Sequence, residues 1–127
     1  METKKFAEQV VKLFLEEGKD IPFCPECGVI ESVQNEYSAW GTKYEIVKFI
    51  NDKVEEEFFD EIELEYRRSI CPKCGSEVVF LCEIPEVLGK LIEYVKKKGN
   101  ARKESLILKE FAKRGLISPQ ALVANII

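Results

Sequence analysis

Cys24-Pro25-Glu26-Cys27-Gly28 and Cys71-Pro72-Lys73-Cys74-Gly75 are two copies of one short unit, Cys-Pro-x-Cys-Gly. Together they offer four sulfurs, enough to close one tetrahedral metal site. The spacing suits that chemistry. In a C-x-x-C turn, backbone N–H groups can point toward sulfur. A glycine after the second cysteine tolerates the positive φ the turn needs. Pro25 and Pro72 stiffen the two turns. Zn²⁺ is the default occupant of a closed, sulfur-rich structural site.

Bringing the two units together requires the chain between them to fold back. Those 43 residues, from Gly28 to Ile70, read as β structure. Tyr44 to Ile50 is rich in β-branched and aromatic residues, and Asn51-Asp52 is a turn candidate. From Phe58 the pattern alternates. Phe58, Ile62, Leu64 and Tyr66 fall on one face, expected to be buried; Glu61, Glu63 and Glu65 fall on the other. Val78 to Leu81 predicts a short strand after the second unit.

Helices flank this region. Phe6, Val10, Leu13 and Phe14 recur at helical spacing and predict a helix over 3–17, with Thr3 as cap and Gly18 as terminator. Pro85 suits the first turn of a helix carrying Val87, Leu88, Leu91, Ile92 and Val95. Lys96-Lys97-Lys98 at its end complements the helix dipole, and Gly99 stops it. Asn100 is a cap candidate for a further helix over 101–114, with Ile107, Leu108 and Phe111 buried and Gly115 at its end. Ser118-Pro119 restarts a short apolar helix, 119–126. The expected fold is therefore α+β: a small antiparallel sheet around the four cysteines, an N-terminal helix and about three C-terminal helices. The expected organisation is a helix in 1–21, the cysteine-bearing region in 22–84 and a helical part in 85–127.

The chain has 127 residues, 46% of them hydrophobic and 33% charged. This suffices for an ordered core without low-complexity segments. Net charge is −4, unevenly placed. Residues 1–89 carry 10 Lys/Arg against 20 Asp/Glu, residues 90–114 carry 9 against 3, and residues 115–127 carry none. No segment reaches the 18 or so apolar residues of a membrane span. Met1-Glu2-Thr3-Lys4-Lys5 does not read as a secretory leader. Five cysteines, four of them in C-x-x-C pairs, favour metal over disulfides and imply a reducing compartment such as the cytoplasm.

The paired units also resemble the zinc-ribbon superfamily, whose members set two such knuckles across a β hairpin. Cys24, Cys27, Cys71 and Cys74 match the ligand positions, and Gly28 and Gly75 the glycine positions. The resemblance covers about residues 22–82. Two features depart from it: the interval between knuckles is long, and the expected outer strand face is acidic. It implies a non-enzymatic, zinc-stabilised interaction module, an accessory or regulatory component of a transcription or RNA-processing assembly with a protein partner. Rubredoxins hold iron in similar knuckles, which would imply an electron carrier. The long interval and helical additions are unlike a compact rubredoxin.

A catalytic metal keeps an open position. Here four thiolates can fill every position, and the chain contains no histidine. No catalytic residues are therefore assigned. Cys82 is expected to extend the Val78–Leu81 strand as a small buried side chain. For nucleic acid, the candidates are Lys96, Lys97, Lys98, Arg102, Lys103, Lys109, Lys113 and Arg114, with Lys90 nearby. They support a direct DNA- or RNA-binding alternative, although Lys-rich helix faces are commonly only solvated. Glu61, Glu63 and Glu65 are candidates for a basic protein partner against the plainer reading of a solvated face. Trp40 is an aromatic anchor candidate; its plainer reading is core packing against a helix. The uncharged C-terminal segment offers a homodimer contact or a core helix.

Overall fold

Phe6, Val10 and Leu13 form an apolar stripe, and that stripe is the buried side of the first helix, α1 (Thr3–Glu17). The structure, a computed structural model, describes residues 2–40, 42–50 and 64–117. Contacts divide the chain into two compact units, Met1–Ile21 with Leu81–Ile127, and Pro22–Phe80.

The first unit is helical. Besides α1 it contains α2 (Ile84–Lys98) and α3 (Arg102–Lys113). Val87, Leu91 and Val95 are buried on α2; Ile107, Leu108 and Phe111 are buried on α3. The Phe14 ring meets Phe111 edge-on, with centroids 6.1 Å apart. Gly18 and Gly99 end α1 and α2 in the left-handed conformation expected of terminating glycines. The starts differ from expectation. A cap residue stands outside helical φ/ψ, and Thr3 is already helical, so Glu2 caps α1 instead. Ala101, not Asn100, takes that position before α3. Neither cap makes a side-chain hydrogen bond. The expected helix over 119–126 lies outside the described residues.

The second unit is built on two small sheets rather than one hairpin. In the first, β1 (Ile21–Cys24) pairs antiparallel with β2 (Gly28–Val29), placing Cys24 opposite Gly28. β6 (Val79–Leu81) lies on the other side of β1, in the order β2-β1-β6. The second sheet consists of β3 (Ser32–Ser38), β4 (Thr42–Lys48) and β5 (Glu65–Ile70), in the order β4-β3-β5. β3 pairs antiparallel with both neighbours. Its register puts Val33 opposite Val47, Asn35 opposite Glu45 and Tyr37 opposite Lys43. One sheet face thus begins apolar and becomes a hydrogen-bonded polar chain. Glu45 accepts from Asn35 Nδ2 and from the Tyr37 hydroxyl. Asn35 Oδ1 accepts from Ser69, whose Oγ also meets the Tyr66 hydroxyl at 2.8 Å. This chain lets Ser69 lie buried at low cost.

The expected alternation across residues 58–66 requires correction where it can be seen. Tyr66 was assigned to a buried face but is 54% exposed. The pairing of β3 with β5 shifts between Glu36 and Tyr37, so that Glu36 faces Arg68 while Tyr37 faces Tyr66. The extra residue, Arg67, interrupts the two-residue period just beyond Tyr66. β5 is also an outer strand of its sheet, which opens it to solvent. Asn51, Asp52, Phe58 and Ile62 lie outside the described residues. The return from β3 to β4 occurs between Ser38 and Thr42, ahead of the expected turn.

Candidate metal centre

Each cysteine unit occupies a place where backbone pairing is interrupted. The first is the turn between β1 and β2: Cys24 ends one strand and Gly28 starts the next. The second follows β5 and is closed by antiparallel pairing of Ile70 with Glu77. Gly28 has φ 82° and Gly75 φ 77°, so both turns use the freedom that only glycine supplies cheaply. Within the second, Gly75 N–H donates to the Cys71 carbonyl at 2.8 Å and Cys71 N–H to the Ser76 carbonyl at 2.8 Å. Because β6 neighbours β1, the chain leaving the second unit returns beside the first.

The four sulfurs meet there. Cys24, Cys27, Cys71 and Cys74 place every Sγ within 4.8 Å of the others. Cys24 Sγ lies 3.4 Å from Cys74 Sγ, and Cys71 Sγ lies 3.8 Å from Cys27 Sγ. A tetrahedron with metal–sulfur bonds of about 2.3 Å has edges of about 3.8 Å, so the spacing fits a thiolate-bound ion. The group could hold a metal ion. Around it Ile30, Val33 and Val78 are buried, with Val47 packed alongside.

The thiols differ in acidity before any ion is bound. Burial raises the Cys24 thiol above its ordinary value, against the opposing pull of the Cys27 and Glu26 N–H groups. The Cys27 N–H approaches the Cys24 sulfur at 3.4 Å. Burial also pushes Cys27 up to about 12, helped by its sulfur neighbours. Cys74 goes the other way, to about 6, because the Ser76 hydroxyl and then the Ser76 N–H hydrogen-bond its sulfur. Ser76 is a neighbour of the site that motif reading missed. Its only signal was a hydroxyl one position beyond the Cys-Gly pair.

Compared with family models, with curated proteins and with solved structures, the chain finds no match.

The remaining candidates fall elsewhere. Cys82 is exposed and lies beyond β6, not buried within it, and it does not belong to the four-sulfur group. The strand ends at Leu81, so nothing carries Cys82 inward. Trp40 is 98% exposed beside the β3–β4 return, overturning the packing expectation. Glu65 is exposed on β5, whereas Glu61 and Glu63 lie outside the described residues.

Several basic residues are engaged with neighbours: Lys103 with Glu104 at 3.8 Å, Lys113 with Glu110 at 3.3 Å and Arg114 with Glu16 at 3.8 Å. Lys103 and Lys98 also stand over the Phe6 and Tyr94 rings. Lys96, Lys97, Lys98 and Arg102 are exposed around the α2–α3 corner, and Lys109 is exposed farther along α3. No helix among the described residues is long and apolar enough to cross a membrane.

Proposed function

We propose that the chain is a zinc-stabilised interaction module of zinc-ribbon type and not an enzyme. The supporting observation is the convergence of four sulfurs, one pair from each turn, within 4.8 Å. Four thiolates complete a tetrahedron, leaving no position at which substrate or water would be activated. Zinc suits this donor set because it accepts tetrahedral sulfur coordination without a redox role. The site then acts as a fastener holding two short sheets in place. Function passes to the surface.

Trp40 is the surface feature that favours a protein partner. A nearly fully exposed tryptophan leaves a large apolar area in water, and burying such a side chain is a common source of interface energy. A transcription or RNA-processing assembly is the setting implied by the ribbon resemblance. Two measurements test the proposal. Elemental analysis of protein purified from cells should give one zinc per chain; stoichiometric iron with a thiolate charge-transfer spectrum would replace this reading with the electron-carrier one. A captured partner should survive nuclease treatment and be lost in Trp40→Ala, and retention by that variant would remove Trp40 from the interface.

Direct nucleic-acid contact is a second reading, carried by the exposed Lys96, Lys97, Lys98 and Arg102. It predicts salt-sensitive DNA or RNA binding that is lost when those four charges are neutralised. No binding at low salt would refute it.

A further inference from the structure

The four sulfurs are not equally shielded. Cys24 and Cys71 are 0% and 1% exposed, Cys27 is half-buried, and Cys74 is exposed. An oxidant arriving from solvent therefore meets Cys74 first. Cys74 also has a sulfur neighbour from the other turn, Cys24, at 3.4 Å. Exposure and a nearby second thiol both favour reversible thiol oxidation: one sulfur is oxidised, and the other resolves the product. Cys82 has the first without membership of the sulfur group.

We propose that Cys74 is an oxidative modification site with Cys24 as its resolving residue, so that a peroxide-class oxidant links the two turns and frees the metal. The metal-releasing part rests on the function proposed above. In the first step the Cys74 thiolate attacks one peroxide oxygen. An S–O bond forms, the O–O bond breaks and hydroxide leaves, giving a sulfenic acid. In the second, the Cys24 thiolate attacks the Cys74 sulfur. The S–S bond forms, the S–O bond breaks and a second hydroxide leaves. Two thiolates are oxidised by two electrons, and one peroxide is reduced to two hydroxides. The disulfide would leave only Cys27 and Cys71 of the four sulfurs to hold an ion. A dithiol reductant reverses the linkage and restores the site for metal.

Among the sulfur pairs the geometry favours one linkage. Sequence proximity alone favours a linkage inside one turn, Cys24 to Cys27 or Cys71 to Cys74. The 3.4 Å approach favours the cross-turn pair.

Hydrogen peroxide added to the purified full chain tests this, in a Cys82→Ser background that removes the other exposed thiol. Metal release is followed with a chromogenic chelator, and linkages are mapped by non-reducing peptide mass spectrometry. The expected result is one ion released per chain, in step with a Cys24–Cys74 linked peptide and reversed by dithiol and zinc. Adding Cys74→Ser should slow release at least tenfold. If that variant does not retain metal, the linkage map decides alone. A first linkage between any other two of the cysteines, or metal release without any linkage, would overturn the proposal, as would a resistant, metal-loaded chain. A chain that purifies without metal refutes the metal reading, and its linkage map then decides the modification site independently.

Discussion

Withdrawing the metal should unfold one unit of this protein and leave the other standing. Around the four sulfurs, the buried cluster contains three aliphatic side chains: Ile30, Val33 and Val78. At ~1.5–3 kcal/mol for each fully buried side chain, they contribute about 5–9 kcal/mol. A structural zinc site contributes ~10–16 kcal/mol at neutral pH. An ion bound there would therefore be the larger favourable contribution of the two. Its loss matches or exceeds the net stability of an ordinary domain, ~5–15 kcal/mol. The consequence is opening of the unit rather than slight loosening. The helical unit draws on other residues, including Phe6, Val10, Leu91, Ile107 and Phe111, none of which belongs to the sulfur cluster. Hydrogen exchange with peptide resolution, with and without excess chelator, separates the two. Peptides covering Ser32–Ser38, Thr42–Lys48 and Glu65–Ile70 should lose protection by about a thousandfold or more, the equivalent of ~4 kcal/mol. Peptides covering α1 and α3 should change little. Cys71→Ser, which removes a buried ligand, should reproduce the chelator pattern without chelator. Unchanged protection in the sheets of a chelated, metal-free sample would refute the reasoning, as would simultaneous loss in the helices.

Other expectations rest on single sites. Trp40 is the chain's one tryptophan, so its emission should already be that of a solvated indole in the isolated folded protein. Denaturation should hardly shift the emission maximum, and Trp40→Ala should change stability by no more than about 0.5 kcal/mol; a large red shift on unfolding would contradict its exposure. Phe111→Ala should cost the helical unit about 3–5 kcal/mol in chemical denaturation, since the ring is fully buried against Phe14. At pH 7, metal binding should release at least two protons, because Cys24 and Cys27 are held protonated by burial whereas Cys74, lowered to about 6, is largely ionised. Affinity should therefore rise by about a hundredfold or more per pH unit near neutrality and fall as pH drops; competition titrations at several pH values check the slope. Without metal the sign reverses for Cys27. Its folded value of about 12 exceeds its ordinary 9.0, so its contribution to stability is complete below pH 9 and is lost as pH rises toward 12.

The cysteine site was legible because its signal is local. Ligand type, spacing and the following glycine sit within five residues, and Gly28 and Gly75 adopt the expected positive φ. The helices were legible through a sustained 3.6-residue apolar period, which placed Val87, Leu91, Val95, Ile107, Leu108 and Phe111 in the interior. The strands were less readable. β1 and β2 are short and contain the first cysteine turn, so they show no alternation of their own. β3 places Asn35 and Tyr37 where an apolar period would put aliphatic residues, and their hydrogen bonds with Glu45 and Ser69 substitute for burial. Such a network becomes visible only once strand register is known. The shift between Glu36 and Tyr37 adds Arg67 between the paired residues Tyr66 and Arg68, which a simple period does not reveal.

The same contrast bears on where function resides. Each described element around the sulfurs has a structural use: β1 and β2 carry one turn, β5 and β6 bracket the other, and glycines permit both. Trp40 has no comparable use, because it is 98% exposed while Val33 and Val47 fill the apolar end of its sheet. A tryptophan left almost wholly in water contributes little to the stability of the isolated fold. The basic side chains differ in degree, since Lys103, Lys113 and Arg114 already meet carboxylates within the helical unit. Partner binding is therefore best sought first by changing Trp40, a substitution that leaves the sulfur cluster and both cores intact. Loss of binding in that variant with metal content unchanged would separate recognition from folding, which no cysteine substitution can do.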